Sequence, residues 1–429
     1  VIWQNWGRTE SASPASVLTP VSEDGVAAAI ETARETGTTV KAVGAGHSFS
    51  GIAVPGETML DLTNMRGLVR IDDLDATFRA GTHLYEIPAW LEPHGLAMAN
   101  LGDIDRQTLA GATSTGTHGT GVTFGGISTQ ITRLRLVTGR CEEREITDPT
   151  ELQAAALGLG ALGIVTEITV RCVPAFSIEA SEQPAKVGDV LGRLREEIET
   201  NDHFEFYWFP HTEAALTKRN KRLSGLVEPS GPSKFRRYVD DELLSNKLFG
   251  GLCRVSARFP NAVPTINKVS GNALSGRTFV DASAAVFASE RKVRFREMEY
   301  AVPLEKLGEA FDGVRKLIAD KGYRVSFPIE VRAAAADDLM LSTASGRTSG
   351  YVAVHRYFRD EPDDYFRDVE EVMMNLGGRP HWGKMHTRDA DYLREVYPRF
   401  DEFCAVRDRL DPDRIFRNPY LDRVLGDDR

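Results

Sequence analysis

The sequence predicts an α+β protein of two domains, the second of them built on an antiparallel sheet. Three observations carry this. At 429 residues the chain is too long for one ordinary core and fits two. Its N-terminal third alternates short helical and strand patterns, whereas after Pro174 the texture changes to longer amphipathic helices and long strands. Hydrophobic residues make up 41% and charged residues 27%, and no apolar run approaches the ~20 residues needed to cross a bilayer. A globular chain without a membrane span is expected.

Residues 22–35 put apolar side chains at helical spacing behind an acidic start, which predicts a helix. Residues 39–43 form a β-branched run entering a Gly-rich turn. Further strands are expected at 58–62, 68–71, 76–80, 131–138 and 164–173, with a short helix at 84–92. Pro174 stops the last strand and marks a boundary. Beyond it, helices at 187–200, 304–321 and 365–376 and strands at 204–209, 293–302 and 351–357 predict a helix-covered antiparallel sheet. Residues 218–241, rich in Lys, Arg, Ser, Gly and Pro, read as an exposed loop.

Lys and Arg number 52 against 62 Asp and Glu, a net charge of -10, so nucleic acid is not an expected partner. The basic runs at 218–222 and Arg236-Arg237 read as solvated loop faces. Cys141, Cys172, Cys253 and Cys404 form no C-x-x-C pair, which argues against a zinc ribbon or a disulfide framework, and no metal site is expected. The N-terminus lacks the basic and apolar regions of a secretory signal, so a reducing, cytoplasmic location is expected.

Three Gly-rich segments carry the functional signal. Val43-Gly44-Ala45-Gly46-His47-Ser48 follows a strand, as do turns whose backbone N–H groups face a pyrophosphate. Position 49 is Phe49 rather than glycine and no helical pattern follows at once, which excludes the G-x-G-x-x-G fingerprint; no G-K-[ST] is present either. Residues 109–121 contain almost no large side chain. They read either as a nest of N–H groups for an anionic ligand or as a flexible Gly/Ser/Thr loop. Residues 158–165 pack glycines before a β-branched strand, as where backbone passes close to a flat ligand. Together the three point to a large phosphate-bearing ligand with an aromatic system.

Gly44-Ala45-Gly46-His47-Ser48-Phe49, His118-Gly119-Thr120-Gly121 and Leu159-Gly160-Ala161-Leu162-Gly163 resemble the flavin domain of the vanillyl-alcohol oxidase superfamily. Glu330-Val331-Arg332 and His381-Trp382-Gly383-Lys384 narrow the resemblance to its aldonolactone and alditol oxidase branch. Asn201-Asp202-His203-Phe204-Glu205-Phe206 and Arg291-Lys292-Val293-Arg294-Phe295 are most similar to the actinobacterial L-gulono-1,4-lactone dehydrogenases within it. The resemblance covers nearly the whole chain. It implies a PCMH-type FAD-binding domain over 1–174, to which 376–429 return, and a substrate domain over 175–375 that caps the flavin.

The resemblance further implies FAD attached covalently to His47 through its 8α position; without it His47 would read as a turn or packing histidine. An imidazolyl substituent withdraws electrons and raises the flavin potential, which eases hydride acceptance. Residues 102–121 contain no cysteine, so a single covalent bond is expected. Further cofactor contacts are implied at Val43, Gly44, Ala45, Gly46, Ser48, Phe49, Gly102, Asp103, Thr108, Gly111, Ala112, Thr113, Ser114, Thr117, His118, Gly119, Gly163 and Val165.

Glu330 and Arg332 lie two apart, so on a strand both face one side. An ion pair and a substrate-binding pair both fit that spacing; the resemblance implies the latter. It also implies a cation at Lys384 that stabilises the reduced ring and acidifies the alcohol, and a histidine at His355 that helps to deprotonate the hydroxyl. His355 alternates with Val352 and Val354 and so faces away from them, into the cleft or into a hydrogen-bonded core position. Tyr357 and Asp103 stand where alditol oxidases place threonine and serine, and as substrate contacts they favour a cyclic lactone over an open polyol.

The resemblance also implies that Gly102 stands at the position that gates oxygen, which leaves O2 or another electron acceptor as alternatives. Three functions remain open from sequence: an oxidoreductase of sugar lactones, an alditol oxidase acting on polyols, and a flavoprotein subunit without turnover.

Overall fold

The computed structural model describes residues 2–231, 249–288 and 293–426. The basic pair Arg236-Arg237, the end of the expected loop at 218–241, and Arg291-Lys292 lie outside the described residues.

After a short antiparallel pair, Trp3–Gln4 with Ser11–Ala12, the chain forms a three-stranded parallel sheet, in which Thr58–Asp61 lies between Ser16–Leu18 and Val40–Val43. The helix Glu23–Thr36 packs on it through Val26, Ala29, Ile30 and Ala33, a helical stripe. Ser22 caps its start by accepting from the Gly25 N–H, Glu23 and Asp24 suit its positive end, and Gly37 closes it in the left-handed region. Val40–Val43 then delivers the chain into residues 44–48.

A second, antiparallel sheet runs in the order Glu143–Ile146, Ile131–Val137, Ile164–Pro174, Asp75–Arg79, Leu68–Asp72, with Leu96–Met98 paired to the far end of Ile164–Pro174. Residues 109–115 are not a loop. They form the helix Leu109–Thr115, whose N-cap Thr108 accepts from the Gly111 N–H at 3.2 Å. Leu109 and Ala112 lie in the core, so even this small-residue run contributes apolar packing.

The largest sheet has eight antiparallel strands in the order Arg277–Ala282, Ser177–Lys186, Ala214–Arg222, His203–Trp208, Ile329–Ala334, Ser349–Tyr357, Phe295–Pro303, Arg379–Pro380. The helices Leu307–Lys321 and Tyr365–Met374 cover one face, and Phe204, Phe206, Val331, Val352, Val354, Met298 and Tyr300 meet them there. Strand alternation turns Glu205, Tyr207, Glu330, Arg332, His355, Glu297 and Glu299 to the opposite face.

Two expectations are corrected. Residues 218–222 belong to the strand Ala214–Arg222, not to a loop. Composition misleads here because the charges are paired: Lys218 meets Glu205 at 3.2 Å and Arg219 meets Glu197 at 2.7 Å. The helix expected at 187–200 is broken into Val187–Gly192 and Leu194–Thr200, because Arg193 leaves helical geometry directly after a glycine.

The C-terminal helices Ala390–Val396, Phe400–Leu410 and Pro419–Leu425 pack into the core of the second sheet through Leu393, Phe403, Leu410 and Leu421. Asn418 donates to the carbonyls of Gly51, Ile52 and Val54, and Lys41 donates to that of Phe416 at 3.1 Å. The tail is thereby tied to the N-terminal Gly-rich loop.

Candidate active site

Two cavities meet at His47. One, of about 250 Å³, is lined by Val43, Gly44, Ala45, Gly46, Thr108, Gly111, Ser114, Gly163 and Val165. The other, of about 350 Å³, is lined by Phe49, Gly102, Asp103, Thr117, His118, Glu299, Arg332, His381 and Lys384. His47, Ser48, Gln107 and Thr115 line both, so the two form one elongated cleft.

The first cavity is narrow because its walls are backbone and small side chains. A Cβ on Gly44 would collide with Thr108, so the loop and the helix Leu109–Thr115 approach as closely as they do only with glycine there. Gly46 takes φ +68, the left-handed conformation that reverses the chain before His47. The His47 ring stacks on Trp6, 5.6 Å between centroids and 25° between planes. Burial pushes the His47 imidazole down to about 4, and Lys384, His83 and Arg106 push in the same direction. A neutral ring nitrogen at the junction of the two cavities is a nucleophile rather than a cation.

The second cavity abuts the charged face of the eight-stranded sheet. Arg332 donates to Glu299 at 2.6 Å and lies 3.5 Å from Glu330 and 3.8 Å from Asp103. His118 Nε2 stands 3.4 Å from the other Glu299 oxygen. Two residues along the strand, Glu297 pairs with Lys384 through one oxygen and with His355 through the other, at 3.5 Å. Burial alone would raise both carboxyls; Lys384 and His355 outweigh it and bring Glu297 to about 2, while Arg332 and His118 hold Glu299 well below the carboxylate range. His381 accepts the Gly383 N–H on Nδ1, which leaves its proton on Nε2, and burial pushes it down to about 3. The wall therefore offers two fixed cations, two fixed anions and a neutral donor.

Most residues expected at the cofactor line the cleft; Ala112, Thr113 and Gly119 do not. Ala112 and Thr113 occupy the buried side of their helix, and a Cβ on Gly119 would strike the Leu101 carbonyl at 2.2 Å. Among the expected substrate contacts, Lys384, Arg332 and Asp103 line the second cavity. Glu330, His355 and Tyr357 lie one layer behind. Glu330 accepts from Tyr207 at 3.0 Å. His355 packs on Phe295 and Phe327 behind Glu297. Tyr357 sits in a cluster with Phe49, Cys253, Phe295 and Phe327.

Sequence reasoning missed Trp6, Gln107, Glu297, Glu299 and a role for His381. Glu297 and Glu299 carry the same two-residue alternation as Glu330 and Arg332, and that signal alone could have found them. Two buried groups, His118–Glu299–His381 and Glu297–Glu330–His355, gather ligand atoms within 4.8 Å. In each, the carboxylates are already engaged by Arg332 or Lys384, which a divalent cation would have to displace.

The residues fit FAD: a slot of backbone and small side chains for a phosphate-bearing arm, a stacked neutral imidazole at the bend, and cations facing the wider end. Residues 14–147 match the FAD binding domain family, and residues 168–424 match the D-arabinono-1,4-lactone oxidase family. Among solved structures, a mutant cholesterol oxidase from Brevibacterium sterolicum superposes with TM-score 0.82 at 18% identity, covering 99% of this chain and 96% of that one, which fixes the fold. The family matches define an FAD-dependent oxidoreductase, and its FAD-binding fold is of the PCMH, or vanillyl-alcohol oxidase, type.

The chain is 42% identical to the L-gulono-1,4-lactone dehydrogenase of Mycobacterium tuberculosis over 99% of both chains. It is 31% identical to the L-gulonolactone oxidase of Bos taurus over 99% of this chain and 98% of that one. Within the class, it belongs to the D-arabinono-1,4-lactone oxidase family. Among the described residues, no helix is long and apolar enough to cross a membrane.

Proposed function

We propose that this chain oxidises an aldono-1,4-lactone of the L-gulono type at the carbon beside the lactone carbonyl, giving a keto-lactone that enolises to an ascorbate-type product. FAD is held through its 8α position by His47. The FAD-binding domain comprises 1–174 with 376–429, and 175–375 form the substrate domain.

The observation that carries this reading is the placement of Arg332 and Lys384, each anchored by a buried carboxylate, on the wall of the cavity that His47 enters. Removing two electrons from a secondary alcohol sends a hydride from carbon to the acceptor and a proton away from oxygen, and FAD supplies the hydride acceptor. Lys384 supplies positive charge beside the hydroxyl and favours its ionised form, while Arg332 offers paired donors to the ring oxygens of the lactone. Asp103, 3.8 Å from Arg332, adds a carboxylate to the same cavity lining, which favours a compact ring over a long open chain. The four free thiols support a reducing, cytoplasmic compartment.

Two measurements test the proposal. Steady-state assays compare gulono-lactone, galactono-lactone, xylitol and sorbitol, with O2 and with a dye as acceptor. A lactone preference is expected, and a large preference for the polyols would sink the substrate assignment. Acid denaturation should leave yellow, fluorescent flavin on the wild-type chain and release it from His47→Ala; a still-attached flavin in that variant refutes the linkage.

A further inference from the structure

We propose that Glu297 and Glu299 are positioning residues, each of which holds one cation of the cavity wall: Glu297 the Lys384 ammonium, Glu299 the Arg332 guanidinium. The proposal rests on the substrate reading above for what the two cations do, but not for how they are held.

The geometry is a repeated unit. Both carboxylates come from the strand Phe295–Pro303, two residues apart and on one face. Both are almost fully buried, Glu297 at 3% and Glu299 at 1% exposure. Each gives one oxygen to a cation and turns the other to an imidazole, Glu297 to His355 and Glu299 to His118. Strand pairing fixes the spacing, since Glu297 lies opposite His355, and Glu299 and Glu330 both lie opposite Ala353. The imidazoles in turn rest on main-chain carbonyls, His118 on Gly119 at 2.9 Å and His355 on Pro328 at 3.3 Å. Carbonyl, imidazole, carboxylate and cation thus form two parallel chains that run from the backbone to the cavity.

The division of labour follows from what each cation is. A guanidinium keeps its charge at any working pH, so Glu299 governs where Arg332 points and with it the binding of substrate. An ammonium on a flexible stem takes its place from the anion that grips it, so Glu297 governs where Lys384 presents its charge. Around Lys384, the Gly-rich loop contributes His47 and the ring of Phe49, at 5.5 Å from the ammonium. Its own segment contributes His381, and the sheet contributes Glu297, Glu299 and, behind them, Arg332 and His355. Glu297 is the carboxylate in direct contact with it.

The test uses full-length holoenzyme variants with flavin content and melting temperature as controls. In Glu299→Gln the KM for gulono-lactone should rise about tenfold or more, with kcat changed much less. In Glu297→Gln the rate of flavin reduction should fall about a hundredfold with little change in KM. The fall should not add to that of Lys384→Met: the double variant should be no slower than Lys384→Met alone. Glu297→Asp keeps the charge and should recover part of the rate.

A readout without substrate is the visible spectrum of the bound flavin. Glu297→Gln should displace the flavin absorption band from its wild-type position in the same direction as Lys384→Met, and Glu297→Asp should largely restore it. Additive losses, or a Glu297→Gln spectrum that matches wild type, overturn the proposal, and if Glu297→Gln does not fold, an unchanged rate in Glu297→Asp overturns it too. A wild type that no lactone reduces would instead sink the substrate reading, while the flavin spectra still decide the role of Glu297.

Discussion

The Gly-rich wall of the cleft presents backbone and small side chains from two contiguous stretches, residues 43–48 and 108–117, whereas the facing sheet wall presents charged side chains from well-separated strands and a turn. The first is shaped by what is absent. Its glycines let two segments approach each other, and a ligand to approach them, so it is sensitive to added volume and indifferent to most changes of charge. The second is shaped by mutual compensation. Glu297, Glu299, Glu330, Arg332 and Lys384 are tolerated in a low-dielectric layer because each meets an opposite charge, so removing one member exposes the rest. Under the proposed function, binding of the cofactor falls to shape and the chemistry to electrostatics, on opposite sides of one cavity.

The sharpest way to break this division is Lys384→Met, which preserves volume and removes charge. It should lower the rate of flavin reduction by about 10²–10³, or about 2.7–4 kcal/mol, while flavin content stays at the wild-type level; stopped-flow spectroscopy reads both. Flavin loss in this variant would mean that the sheet wall also binds the cofactor.

The converse substitution, Gly44→Val, adds volume without charge where a Cβ meets Thr108. It should cost about 1–3 kcal/mol in local packing and lower the flavin-to-protein ratio. Molecules that retain flavin should turn over at near the wild-type rate, which activity normalised to flavin absorbance checks.

The smallest effect concerns the neutral histidines, which differ from the paired groups in their response to acid. Burial pushes His203 down to about 4 and His381 down to about 3, from 6.5. As pH falls below 6.5 the unfolded imidazoles take up protons and the folded ones do not, so stability falls with pH until the folded values are reached. Each contributes up to about 1.4 kcal/mol per pH unit in that window. Asp337, pushed up to about 6 by burial, works in the opposite sense between pH 6 and its unfolded value of 3.8. Glu297, brought to about 2, adds its own loss only below its unfolded value of 4.5. Urea midpoints at pH 7, 6 and 5 should therefore decline, more steeply from pH 6 to 5 than from 7 to 6; a flat profile would mean that these imidazoles are protonated in the folded state.

How much of this was legible beforehand divides along the same line as the two walls. The first helix, the strands that flank it and the Gly-rich turn could all be read, because each is encoded within a few neighbouring residues. The same holds for the shared face of Glu330 and Arg332, which follows from strand alternation alone. Residues 218–222 were misread because paired and solvated charges look identical in composition.

The sequence by itself determined the elements, the slot for a phosphate-bearing ligand and which side chains share a strand face, since these depend on local periodicity and on the small size of glycine. Only the tertiary structure decided that Trp6 stacks on His47, that Glu297 and Glu299 anchor the two cations, and that Glu330, His355 and Tyr357 stand behind the wall. Those facts depend on the register between strands distant in sequence. A buried charge, moreover, is stable only beside the partner that register supplies.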